Sequence, residues 1–225
     1  MRIGIIGAGH IGGTLTRRLT ALGHDVSVAN SRGPDTLSAL ASETGAHAVT
    51  VTEAAQDKDL VIVTIPEKGI PQLPKDLFAD TDGTVVVDTG NYYPQRDGRI
   101  DAIESGTPES KWVSEQLGHS VIKTFNNIYA QHLMERGRPS GSSGRIALPV
   151  AGDDSKAKAL VMRLIDELGF DPVDAGGLND SWRQQPGTPV YGTDLDAAGV
   201  RKALADAKPE RPAEFRAPVP AGAAL

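Results

Sequence analysis

The chain has 225 residues, a formal net charge of −6 and no cysteine. The negative balance leaves no broad basic field, which argues against nucleic acid as a partner. The missing thiols exclude disulfides, zinc–thiolate centres and thiol catalysis, and no apolar run approaches the length of about 18 residues that a membrane span needs.

The first element predicted is a strand over the apolar run Ile3-Gly4-Ile5-Ile6. Gly7-Ala8-Gly9-His10-Ile11-Gly12 follows it, and a helix follows that, with Ile11, Leu15, Leu19 and Leu22 as its apolar stripe. Strand, G-x-G-x-x-G and helix in this order form a dinucleotide-binding signature. Gly7 permits the tight turn, Gly9 lets a pyrophosphate approach the backbone, and Gly12 lets the helix pack on the strand. The helix N-terminus adds unpaired N–H groups and a positive dipole end. His10, inside this loop, is expected to touch ribose or phosphate. The loop begins at residue 7, which leaves no room for a signal peptide, so a cytoplasmic setting is expected.

The second strand is Val26-Ser27-Val28-Ala29. An NAD site would carry Asp or Glu near its end to bond the ribose hydroxyls. Asn30-Ser31-Arg32 stands there instead. A guanidinium fork beside a hydroxyl suits a 2′-phosphate, which a carboxylate would repel. The residues therefore point to NADP(H), with Ser31 and Arg32 on the phosphate and Asn30 in support.

Further along, a helix is predicted over about 35–43, a short strand over 46–49, and a short helix at 52–55 capped by Thr50 or Thr52. The β-branched runs at 60–65, 85–88 and 120–125 read as parallel strands buried on both faces. Strands alternating with helices give a fold of the α/β class, a Rossmann-type doubly wound parallel sheet. A small C-terminal α/β unit is expected to extend that same sheet. It comprises a strand over 146–150, a helix opening at 152–155 and a strand over 170–174, and a last helix at 195–205 follows. The glycine- and serine-rich stretch 136–145 reads as a connector rather than a lid. The domains are thus 1–125 for NADP, 126–207 covering the nicotinamide and second substrate, and a Pro/Ala-rich tail, 208–225. The composition of that tail is normally disordered, but the tail is expected here to pack on something, another subunit being one candidate.

In its spaced motifs the chain resembles the NADP-dependent oxidoreductases of the deazaflavin coenzyme F420. It is similar also to the cytosolic reductase domain of six-transmembrane metalloreductases. The motifs are Ile5–Gly12, Asn30–Arg32, Thr64-Ile65-Pro66, Asp88-Thr89-Gly90-Asn91, Val121–Asn126, Ala151–Asp154 and Leu168–Gly176, in order over residues 1 to about 180. The resemblance implies that Ala8 to Ile11 hold the pyrophosphate and that Ser31 and Arg32 hold the 2′-phosphate. It implies that Thr64, Ile65 and Pro66 lie beside ribose and nicotinamide, and that Asp88, Thr89, Gly90 and Asn91 border the nicotinamide. Asn126 would meet the carboxamide or the second substrate. The chain departs from the pattern at Asp35-Thr36, where a basic residue is expected. It departs again at Glu67, where the coenzyme F420 enzymes carry a bulky aromatic, and along 182–191.

Hydride transfer between NADPH and a deazaflavin or flavin-like acceptor needs stacked rings and little water, and no obligatory acid or base. No catalytic residue is therefore assigned. The candidate wall for the second substrate is Asn127, Trp182, Gln184, Gln185 and Tyr191, with Tyr92 and Tyr93 as further possibilities. Enzymes reducing 3-hydroxy acids use a Lys proton donor, but Lys123 falls in a strand pattern whose alternation is expected to face it outward. Those enzymes and the pyrroline carboxylate reductases also need a longer helical C-terminal region. A reductase of another small substrate, or a non-catalytic NADP(H) sensor, remain the alternatives. His24, His47, His119 and His132 show no ligand spacing, so no metal is expected. A homodimer that meets only small molecules completes the expectation.

Overall fold

The computed structural model describes residues 1–79, 81 and 83–218. The chain begins with β1 (Arg2–Ile6), α1 (His10–Ala21), β2 (Asp25–Ala29), α2 (Ser38–Thr44), β3 (His47–Ala48), α3 (Val51–Ala55) and β4 (Leu60–Val63). It continues with β5 (Val85–Asp88), α4 (Pro94–Asp97), α5 (Asp101–Glu104), α6 (Glu109–Leu117), β6 (Val121–Lys123) and α7 (Ala130–Glu135). The last elements are β7 (Ala147–Val150), α8 (Ser155–Glu167), β8 (Asp171–Asp174) and α9 (Ala197–Asp206). Strands β1 to β6 form one sheet in the order β3-β2-β1-β4-β5-β6, with every pairing parallel.

The apolar runs bury both sheet faces. Ile3, Ile5, Leu60, Ile62, Val87 and Ile122 pack with Leu15 and Leu19 of α1 and Val161, Leu164 and Ile165 of α8. Val61, Val63, Val86 and Val121 pack with Ala54 of α3 and Trp112 and Val113 of α6. Each fully buried Val or Ile contributes about 1.5–3 kcal/mol relative to exposure. Leu22 departs from the predicted stripe. It caps α1, and the chain turns at Gly23 with φ 84°, so Leu22 is exposed. Thr50, rather than Thr52, caps α3, in a reciprocal pair with Glu53.

The C-terminal unit does not continue the six-stranded sheet as expected. β7 and β8 form their own parallel pair, covered by Val200 and Leu204 of α9. One antiparallel bridge, Lys123 to Ala151, joins the two sheets, with N–H to O distances of 2.8 and 3.0 Å. Ala151 lies just past the end of β7, and Ile122 of β6 also shares a core with Leu148 and Val150 of β7. Stretch 136–145 is tied back by the buried Arg145, which bonds Asp166 and Asp171 at 2.7 and 2.6 Å.

The tail also departs from its compositional expectation as far as residue 218. Arg211 bonds Glu109 at 2.5 Å and the Ala217 N–H bonds Glu104 at 2.8 Å. Those polar anchors, which composition does not reveal, offset the ordering cost. Residues 219–225 of the expected tail lie outside the described residues.

Candidate dinucleotide site

The glycine loop joins β1 to α1 at the carboxyl edge of the sheet. Gly7 has φ 112°, which a side chain rarely adopts, and a Cβ there would also collide with the Thr64 carbonyl. A Cβ on Gly12 would collide with the Gly7 carbonyl and approach Thr64 Cγ2 to 2.7 Å. The loop, α1 and the end of β4 are thus in direct backbone contact. Gly9 is the opposite case: a Cβ there would meet nothing within 4 Å, and the residue is exposed. It caps α1 without any side-chain hydrogen bond. The first-turn N–H groups therefore face an open approach, the arrangement a pyrophosphate requires. Ala8 and Ile11 are half-buried and His10 is exposed on that approach.

Beyond β2, Asn30 organises the next turn. Its Oδ1 accepts from the Arg32 N–H at 2.9 Å, and its Nδ2 donates to Thr36 Oγ1 at 2.9 Å. Ser31 and Arg32 are left exposed. A cleft of about 730 Å³ runs from the glycine loop to this turn, lined by Gly9, His10, Arg17, Arg32 and Thr36 among others. Arg17 is a cation here that the sequence reading missed, because it also pairs with Glu43 and reads as a solvated helix residue. Thr36, in place of a basic residue, lines the same cleft, with its hydroxyl donating to the Gly33 carbonyl at 2.8 Å.

The order of strands reverses between β1 and β4, and ligands of such sheets lie across that switch point. A dinucleotide laid across it with one end at Arg32 would put its other end over the ends of β4 and β5. Thr64 and Ile65 are half-buried and Pro66 is exposed there, while Thr89 and Gly90 are buried. Asn91 donates to the Asn126 carbonyl at 2.8 Å. The Asn126 amide donates to Asn91 Oδ1 and the Gln184 carbonyl at 3.0 and 2.6 Å, and accepts from Gln184 Nε2 at 3.0 Å. It clasps three segments together. Asn127 beside it is buried, with neither amide atom bonded among the described residues.

Lys123 is not turned outward. It is fully buried, and its Nζ bonds Asp88 Oδ2 at 3.1 Å and the Gly90 carbonyl. Alternation fails as a guide because both sheet faces are covered. Lys123 stands opposite Asp88 in the parallel ladder. Glu67 and Glu109 are buried in the same region. Burial pushes the Glu67 carboxyl well above the usual range, and the Glu109 charge adds to it. Burial raises Glu109 as well, opposed by Arg211 and Lys123.

The five candidate second-substrate residues do not form one wall. Gln184 and Asn127 lie at the end of β6. Tyr191 bonds the Tyr93 hydroxyl, and burial raises its phenol. Trp182 and Gln185 line a separate cleft of about 550 Å³ between the 103–108 turn and the tail. Tyr92 is buried. Its hydroxyl donates to Glu104 Oε1 at 3.0 Å, and burial pushes its pKa up to about 12. Among the described residues, no cluster of three or more His, Asp or Glu could hold a metal ion, and no helix is long and apolar enough to cross a membrane.

A Rossmann sheet with an open glycine cradle defines the dinucleotide-binding class of protein. The comparisons narrow that class. Residues 2–92 match the family model described as "NADP oxidoreductase coenzyme F420-dependent". A hypothetical protein of Sinorhizobium meliloti, SMa0349, is 34% identical in its crystal structure, with a TM-score of 0.73 over 87% of this chain and 95% of that one. The chain belongs to the coenzyme F420-dependent NADP oxidoreductase family. A crystal structure from Arthrobacter sp. FB24, provisionally assigned as an F420-dependent NADP-reductase, shares the fold. It is 24% identical, with a TM-score of 0.66, over 80% of this chain and 87% of that one. The Escherichia coli (strain K12) protein YjhV is 49% identical over 70 residues, which are 31% of this chain. The match spans 51% of that curated relative.

Proposed function

We propose that the protein passes hydride between NADPH and a deazaflavin, coenzyme F420, or a flavin-like acceptor. The observation that carries the donor half is the open cradle at Gly9 running into the cleft at Arg32. The glycine loop would hold the pyrophosphate, and Ser31 and Arg32 the 2′-phosphate. Thr64 to Pro66 and Thr89 to Asn91 would border the nicotinamide. When bound, NADPH supplies the hydride, and the protein orients the two rings and excludes water. Asn126 serves by clasping Asn91 and Gln184, and Asn127 keeps a free amide for a ligand. Tyr191, which bonds Tyr93, would act from the C-terminal segment that covers the acceptor, while Trp182 and Gln185 belong to the separate cleft beside the tail. A homodimer in the cytoplasm belongs to the same proposal, and sedimentation tests the dimer.

Absorbance at the NADPH band, with coenzyme F420, FMN, a ferric chelate and small quinones as acceptors, tests the reading. Turnover with coenzyme F420 alone supports it. NADPH binding without turnover of any acceptor favours the sensor instead. Arg32→Ala tests the 2′-phosphate assignment: losing one charge-assisted pair weakens NADPH by about 1.5–3 kcal/mol and leaves NADH nearly unchanged. An unchanged preference for NADPH over NADH refutes it.

A further inference from the structure

Glu67 is a buried carboxyl that hydride transfer itself does not need. It begins the turn after β4, with its side chain 1% exposed. Arg96 Nη2 holds its Oε2 at 2.8 Å, and its Oε1 has no hydrogen-bond partner among the described residues. Arg96 is shared, since the same nitrogen also serves Asp97 and the Asn91 carbonyl. The other groups facing Glu67 are Glu109 on α6, Lys123 on β6, Asp88 on β5 and Asp97 on α4. Arg211 of the tail sits on Glu109.

Four almost fully buried carboxyl groups therefore meet three basic side chains, of which Arg96 stays partly exposed. Glu67 and Asp97 share the single cation Arg96, and a buried charge that is only partly compensated takes up a proton. Asp88 has Lys123, the Ser110 hydroxyl and the Gly90 N–H. Glu109 has Arg211 and the Tyr92 N–H. Asp97 has the Tyr93 N–H and Arg96. Glu67 has the poorest set. Its place is also particular: Glu67 and Gly90 follow β4 and β5, the two strands over which the nicotinamide side would fall. A Cβ on Gly90 would stand 2.5 Å from Glu67 Oε1 and 3.0 Å from Asp88 Oδ1. The absent side chain lets both carboxyls reach this edge.

We propose that Glu67 is a redox-linked proton site, holding its proton beside the neutral reduced dinucleotide and releasing it beside the oxidised one, whose ring is cationic. The proposal rests on the NADP(H) reading of the site. Glu67 gives up one proton as the bound dinucleotide gives up one hydride, with its electron pair. The acceptor gains both, and the charge of the site stays constant. At the effective dielectric of such sites, a nearby carboxylate favours the cationic ring on the order of tenfold.

The test is calorimetric binding of NADPH and of NADP⁺ at about pH 6 and about pH 9, the span in which buried carboxyls titrate. It uses the wild-type protein, Glu67→Gln and Glu67→Met. In the wild type the affinity ratio moves towards NADP⁺ by on the order of tenfold as pH rises. In both variants it stays flat. Protonation of the 2′-phosphate or the glycine loop affects both dinucleotides alike and cancels in the ratio. A ratio independent of pH in the wild type overturns the proposal, and so does a shift that survives in whichever variant folds. Wild type that binds neither dinucleotide overturns the NADP(H) reading itself.

Discussion

At the scale of single residues, the site is shaped as much by missing side chains as by present ones. Gly12 has no room for a methyl group, because the Gly7 carbonyl and Thr64 Cγ2 occupy that space. Gly12→Ala must therefore push α1 away from β4. Overpacking of this kind costs about 1–3 kcal/mol. We expect a lower urea midpoint and, because the pyrophosphate cradle moves with α1, weaker NADPH binding by calorimetry. Gly9 is the contrast, since nothing in the fold forbids a Cβ there. Gly9→Val should fold normally and lose NADPH, and normal binding in that variant would remove the pyrophosphate from the loop. Both glycines stand out in the sequence, but only the structure separates the one that packing requires from the one beside open space.

At the scale of elements, the parallel pairing of β5 with β6 brings Lys123 against Asp88 in full burial. Breaking a buried pair leaves an uncompensated charge and costs about 3–5 kcal/mol. Lys123→Met should lower stability by that order in urea denaturation, because Asp88 then faces Glu67 and Glu109 with no basic partner, only the Ser110 hydroxyl and the Gly90 N–H. Adding Asp88→Asn should restore much of the loss. No restoration would mean that Lys123 matters for its packing rather than its charge. The pair was not legible from alternation, which assumes that one sheet face meets water. Here α6 and α8 cover opposite faces.

At the scale of the whole molecule, buried acids make stability depend on pH. Burial raises Glu67 and Glu109 above the ordinary carboxyl value of 4.5. Between that value and their folded-state values, the folded protein binds more protons than the unfolded chain. Stability contributed by these two groups is therefore present at the acid end and declines as pH rises. Asp59 and Glu53, lowered by hydrogen bonds from Arg2 and Thr50, act in the opposite sense below their ordinary values. Melting temperature against pH should thus fall less steeply above about pH 5 in Glu67→Gln than in the wild type. An identical slope would exclude Glu67 from the effect. Removing residues 208–225 takes away Arg211, a counter-charge of Glu109, and should steepen the decline.

The sequence alone determined the parts of this protein that depend on neighbours along the chain. A β-branched run, a glycine loop and an amphipathic helix in series dictate the Rossmann start, and the residues after each strand mark the edge where a ligand lies. Asn30-Ser31-Arg32 follows β2 closely enough for its chemistry to be read directly. The tertiary structure alone decided which distant groups meet. Glu67, Asp88, Glu109, Lys123 and Arg211 span 145 positions of the numbering, and nothing local marks them as a cluster. Sheet register, the start of α6 and the docking of the tail bring them together. The cause is long-range packing: a charge far apart in sequence acquires its partner, or lacks one, only once the sheet has closed over it.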